Sequence, residues 1–154
     1  MGSTHTWLVG PCEPRIRCMV GNSCLPTYEA IHRHKLLHCF PNFVPGRQRF
    51  GDTPDMTGMI APRALHLNLN QLDSGSPIEE ARAGLSKISA AYHAAGAAAQ
   101  FTFFIEDGVG HVLSPTMWQK TREDTGVLRQ ARDVLGFAAK SLRLFVGEHA
   151  HVRS

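Results

Sequence analysis

The chain has 154 residues, 43% of them hydrophobic and 19% charged, with a formal net charge of +3 at pH 7. That length suits one domain with a sizeable buried core, and the composition excludes a disordered chain. Basic residues are scattered, no apolar window reaches the roughly 18 residues of a membrane span, and residues 1–10 lack the pattern of a signal peptide. Nucleic-acid binding and membrane spanning are therefore set aside, with the cytoplasm as the default location.

Taken in order, the chain alternates helix-like and strand-like segments. Residues 4–9 suit a helix that ends before Gly10-Pro11, and 15–21 (RIRCMVG) a short buried strand followed by the turn Asn22-Ser23-Cys24. Residues 26–37 suit a helix capped by Thr27, and 39–54 are an aperiodic stretch rich in Pro, Gly and aromatics. One helical turn is expected over 55–60, stopped by Pro62, before a strand over 64–69. Residues 77–95 form the strongest helix signal: Ile78, Ala81, Leu85, Ile88 and Tyr92 recur at helical spacing, Glu79 and Glu80 suit its first turn, and Gly96 ends it. A buried strand follows over 101–106, and Ser114-Pro115 opens a helix as N-cap and first helical residue. This β-α-β-α-β-α order predicts an α/β layered fold with three mainly parallel strands, about 15–21, 64–69 and 101–106, and flanking helices.

Four cysteines, Cys12, Cys18, Cys24 and Cys39, contain no C-x-x-C pair and read as reduced, partly buried thiols. His32, His34, His38 and Cys39 are close in sequence, but their spacing matches no common ligand pattern. Neither a metal nor another cofactor is expected.

Two strand ends carry the chemistry. The strand over 101–106 runs into Asp107-Gly108-Val109-Gly110 and then His111, where open α/β sheets place catalytic groups. The preceding strand, over 64–69, runs into Asn70-Gln71-Leu72-Asp73. Alone, His111 reads as a surface loop residue and Asp73 as a turn or helix-cap residue. Together they match an acid after one strand and a base after the next, the last two members of a nucleophile–acid–base triad.

The segments IAPRALHLNLNQLDSGSP (60–77), GVGHVLSPTMW (108–118) and HCFPNFVPGRQRFGDTPDM (38–56) resemble the C-terminal half of an α/β-hydrolase, nearest the acetyl xylan esterase and dienelactone hydrolase-like group. The resemblance covers roughly residues 1–123 and implies a partial α/β-hydrolase fold with Asp73 as acid and His111 as base. Residues 124–154 depart from it and read as a divergent extension with helical spacing from about Val127 to Val146, either a packing helix or a basic face for a membrane surface.

In that family the nucleophile sits in a G-x-S-x-G-G elbow, and Met1-Gly2-Ser3-Thr4-His5-Thr6-Trp7 resembles the residues just after its serine. The resemblance thus implies that the nucleophile falls one position before Met1, and that Met1 supplies an oxyanion-hole N–H. Ser23 follows a strand and precedes a helix, a superficial elbow, but lacks glycine two positions later. Ser3 has no strand before it, and Cys12 has no cationic neighbour to activate it.

Two function classes follow. One is a truncated serine hydrolase of the carboxylic-ester type, keeping acid and base, inactive alone, and acting on a small ester when complete; peptidase relatives keep an amide substrate open. The other is a non-catalytic fragment that associates through an open strand edge.

Overall fold

The computed structural model describes residues 2–36, 38 and 42–124. Helix α1 (Gly2–Val9) leads into strand β1 (Cys18–Asn22), then α2 (Tyr28–His34) and α3 (Thr53–Gly58). Strand β2 (Ala64–Asn70), helix α4 (Ile78–Ala94), strand β3 (Phe101–Glu106) and helix α5 (Pro115–Glu123) complete it. The three strands form one parallel sheet in the order β1-β2-β3. Each crossover is made by helices, as parallel neighbours require.

The local chemistry explains where the elements begin. Thr27 caps α2, its hydroxyl accepting from the Ala30 N–H at 3.0 Å. Ser114 caps α5 in the same way, accepting from the Met117 N–H at 3.0 Å, with Pro115 first in the helix. The strand 101–106 and the long helix after Pro77 lie where their periodicity places them.

Three boundaries and one burial differ from expectation. β1 begins at Cys18 rather than Arg15, because the backbone before it is engaged elsewhere: the Arg15 N–H donates to Glu13, and Arg63 Nη1 takes the carbonyls of Glu13 and Ile16 at 2.9 and 3.0 Å. α2 stops at His34, where Lys35 adopts φ 51°. α3 starts at Thr53, since Asp52 and Asp55 form a reciprocal capping box that the aperiodic sequence around them conceals. β3 is an outer strand among the described residues. Phe101 is buried, but Phe103 is 50% exposed, so this strand is less enclosed than its apolar run implies. The helix expected from about Val127 to Val146 lies outside the described residues.

The central strand β2 is buried along its whole length and has two unlike faces. Leu65, Leu67 and Leu69 enter the apolar core with Trp7, Met19, Ile60, Leu85, Ile88, Tyr92 and Phe101. Each buried leucine contributes roughly 1.5–3 kcal/mol through removal from water. Trp7 lies directly over Gly21, where a Cβ would meet its ring at 2.4 Å, so only glycine lets α1 sit this close to β1. His66, Asn68 and Asn70 alternate with those leucines and face α5 instead. Asn68 Nδ2 donates to Thr121 Oγ1 and to Asn22 Oδ1, each at 2.8 Å, and His66 pairs with Thr102 Oγ1 at 2.7 Å and Asn68 Oδ1 at 3.1 Å.

Candidate active site

Parallel strands leave their carboxyl ends at one edge of the sheet, and the loops after β1, β2 and β3 meet there. The loop after β2 carries Asp73, 4% exposed. Its Oδ1 accepts the Gly75 N–H at 2.9 Å in a tight turn of the Asx type. Its Oδ2 lies 2.8 Å from His111 Nδ1, on the loop after β3. An ionised carboxylate only accepts, so Nδ1–H donates and Nε2 is left as the nitrogen able to take a proton. The His111 side chain is 64% exposed whereas that of Asp73 is 2% exposed: a reachable imidazole is held from behind by a buried anion.

The pair sits in a cavity of about 750 Å³ whose walls include Gly2, Ser3, Asn22, Ser23, Asp73 and His111. The N-terminus of α1 therefore opens onto the same space as the imidazole, and its unpaired N–H groups favour negative charge there. Ser3 is occupied as a pin between α1 and β1: its hydroxyl donates to the Asn22 carbonyl and accepts the Asn22 N–H at 2.9 Å. Ser23 is 5% exposed and its hydroxyl donates to the Val112 carbonyl at 3.1 Å. Neither hydroxyl is directed to His111 by these bonds. Met1 lies outside the described residues.

Residues not singled out by the sequence support the site. Asn70 Nδ2 holds the Val112 carbonyl at 2.9 Å, Gln71 Oε1 accepts the Gly108 N–H at 2.8 Å, and Ser76 Oγ accepts the Leu25 N–H at 3.0 Å. The signal for Asn70 was the polar alternation in ALHLNLN, which marks a strand face used for hydrogen bonding. His38 joins the acid loop, its Nε2 lying 2.6 Å from the Gly75 carbonyl. Among the described residues, no three His, Cys, Asp or Glu side chains converge on a metal position. Cys12, Cys18 and Cys24 are thiols, and burial first, then the charge of Asp124, pushes the Cys18 thiol above its ordinary range. Cys39 lies outside the described residues.

No family model and no curated protein sequence matches the chain. Its fold is similar to that of solved structures. Methylesterase BT1017 superposes with a TM-score of 0.63 at 17% identity, over 80% of this chain and 27% of that one. The glucuronoyl esterase catalytic domain from Hypocrea jecorina gives 0.62 at 15% identity, over 79% and 40%. TT1662 from Thermus thermophilus gives 0.54 at 17%, over 77% and 47%. The described part of the chain has a partial α/β-hydrolase fold, three parallel strands in an open sheet with flanking helices. It spans between about a quarter and a half of the length of these structures.

Proposed function

We propose that the chain is the acid–base half of a serine hydrolase of the carboxylic-ester type. The observation that carries this reading is the 2.8 Å contact between His111 Nδ1 and a buried Asp73 carboxylate, at the mouth of a cavity that α1 enters by its N-terminus. Asp73 holds the imidazole with its proton on Nδ1. Nε2 then accepts the proton of an attacking hydroxyl and returns it to the leaving alcohol, and Asp73 stabilises the imidazolium between the two steps.

In this reading the nucleophile is a serine at the head of α1, immediately before Met1 in a longer chain. The resemblance assigns the oxyanion-hole donor to the Met1 N–H. An oxyanion forming there meets the positive end of α1, which favours it. The chain as written holds acid and base without that hydroxyl and is inactive alone. Small esters are the expected substrate class of the complete domain; a peptide bond would be attacked by the same chemistry. Residues 1–123 form this hydrolase part and 124–154 an extension.

The test uses a fluorophosphonate probe and a short-chain p-nitrophenyl ester. The chain as written should show neither labelling nor turnover, whereas labelling at Ser23 refutes the assignment. In the DNA upstream of the first codon, an in-frame G-x-S is expected, and its absence overturns the position given to the nucleophile.

A second reading is favoured by β1, an outer strand among the described residues whose side chains alternate between buried and half-buried. Such an edge offers unpaired N–H and C=O groups to another strand. The purified chain should therefore self-associate in size-exclusion chromatography with light scattering; a monodisperse, cooperatively melting monomer counts against it.

A further inference from the structure

His111 is an exposed side chain on an irregular loop, so its direction depends on what grips the backbone on either side. On its N-terminal side the Leu72 N–H donates to the Val109 carbonyl at 2.9 Å. On its C-terminal side the Val112 carbonyl accepts two side-chain bonds, from Asn70 Nδ2 at 2.9 Å and Ser23 Oγ at 3.1 Å. Asn70 ends β2. Ser23 comes from the turn after β1, a different strand.

Ser23 has φ 61°, a left-handed conformation that a residue with a Cβ adopts against its own preference. Its N–H donates to the Asn68 carbonyl at 2.8 Å, which fixes the turn to β2. Two residues later the Leu25 N–H donates to Ser76 Oγ at 3.0 Å, on the loop that carries Asp73. The turn of residues 23–25 thus grips the base loop with its first residue and the acid loop with its last.

A serine in a strained turn after a strand also suggests a nucleophile. Two observations oppose that role. The hydroxyl is spent on the Val112 carbonyl, and α2 begins only at Tyr28, so no helix N-terminus stands directly behind Ser23. The strain has another use.

We propose that Ser23 is a positioning residue for His111: the turn of residues 23–25 spaces the acid and base loops, and the Ser23 hydroxyl aims the imidazole by holding the next residue's carbonyl. This rests on the pairing of His111 with Asp73 proposed above. Loss of the hydroxyl leaves Asn70 as the one side-chain grip on the Val112 carbonyl among the described residues.

The test is Ser23→Gly in the full chain. Glycine accepts φ 61° freely, so the hydroxyl is removed while the turn is relaxed. The readout is the His111 Nδ1–H proton, followed by imidazole ¹⁵N NMR. In the unsubstituted chain this proton should be protected from solvent exchange, and Asp73→Asn should abolish the protection. In Ser23→Gly its exchange should rise roughly threefold to tenfold, the ratio set by one hydrogen bond, with no fall in melting temperature. Asn70→Ala should act in the same direction. Unchanged exchange in a stably folded Ser23→Gly chain overturns the positioning role and leaves the acid–base pair standing. An unprotected proton in the unsubstituted chain removes the pair itself.

Discussion

Replacing Asp73 with asparagine probes the pair most directly, because the two oxygens of the carboxylate do different work. Oδ1 accepts the Gly75 N–H at 2.9 Å and Oδ2 accepts His111 Nδ1–H at 2.8 Å. An asparagine has one oxygen and must abandon one partner. If the oxygen stays on Gly75, the amide NH₂ faces Nδ1, the imidazole moves its proton to Nε2, and the base loses its lone pair at the cavity. If the amide flips, the Gly75 N–H meets an NH₂ in a largely buried turn and goes unsatisfied, at a cost of about 1–3 kcal/mol. The tautomer change is the cheaper response, since it keeps every donor opposite an acceptor. Asp73→Asn should therefore retain most of its stability while His111 switches from Nδ1–H to Nε2–H. Long-range ¹H–¹⁵N correlation of the imidazole at a pH where it is neutral distinguishes the two forms. In a complete domain the same change should lower kcat by about 10⁴, as expected for a triad with the wrong tautomer. A chain in which His111 keeps Nδ1–H and stability is unaltered refutes the reasoning.

Three further outcomes follow from the packing. Gly21→Ala places a Cβ 2.4 Å from the Trp7 ring and 2.9 Å from Leu67 Cδ2, so α1 must shift; urea unfolding should show a loss of about 1–3 kcal/mol, and an unchanged midpoint would contradict the close approach. Burial raises the folded-state values of both the Cys18 thiol and the Tyr92 phenol. Their contribution to stability is thus fully present below the unfolded values, about 8.5 and 10, and is lost as pH rises through the higher folded values. Thermal melts should weaken in alkaline solution, and Cys18→Ala should flatten the earlier part of that fall. In the folded chain iodoacetamide should modify exposed Cys12 before Cys18.

How much of this was legible in the sequence depends on which physical signal each residue emits. Helix α4 announces itself by apolar periodicity, and α5 by Ser114-Pro115, so both lie where expected. The pairing of Asp73 with His111 was legible because parallel strands must deliver successive loops to one edge. The start of β1 was not, since Arg15, Ile16 and Arg17 look strand-like while long-range bonds from Arg63 draw their backbone away. The Asp52–Asp55 capping box was hidden in an aperiodic stretch, and the exposure of Phe103 depends on strand order, which composition does not encode. Ser23 was legible as a serine in an elbow-like place. Its bond to Val112, 89 positions away, was not.

The division of labour across β2 accounts for how a mostly exposed histidine is placed. On one face Leu65, Leu67 and Leu69 supply non-directional burial, which holds the sheet together but sets no angle. On the other, the buried side chains of His66, Asn68 and Asn70 each make a directional bond, although Asn70 Oδ1 is left without a partner among the described residues, and an unpaired polar group there costs more than a bond returns. Asn68 ties the strand to α5 and to β1, and Asn70 carries the same face out to the Val112 carbonyl beside the base. Directional bonds from this one face therefore reach both the sheet interior, through Asn68, and the His111 loop, through Asn70. A substitution of Asn68 by leucine would match the opposite face in polarity yet strip Asn22 and Thr121 of a shared partner. His66 would lose its Asn68 partner as well, and these buried groups left unpaired outweigh the added apolar area, so urea unfolding should show a loss of stability, and an unchanged midpoint would contradict the role given to this face.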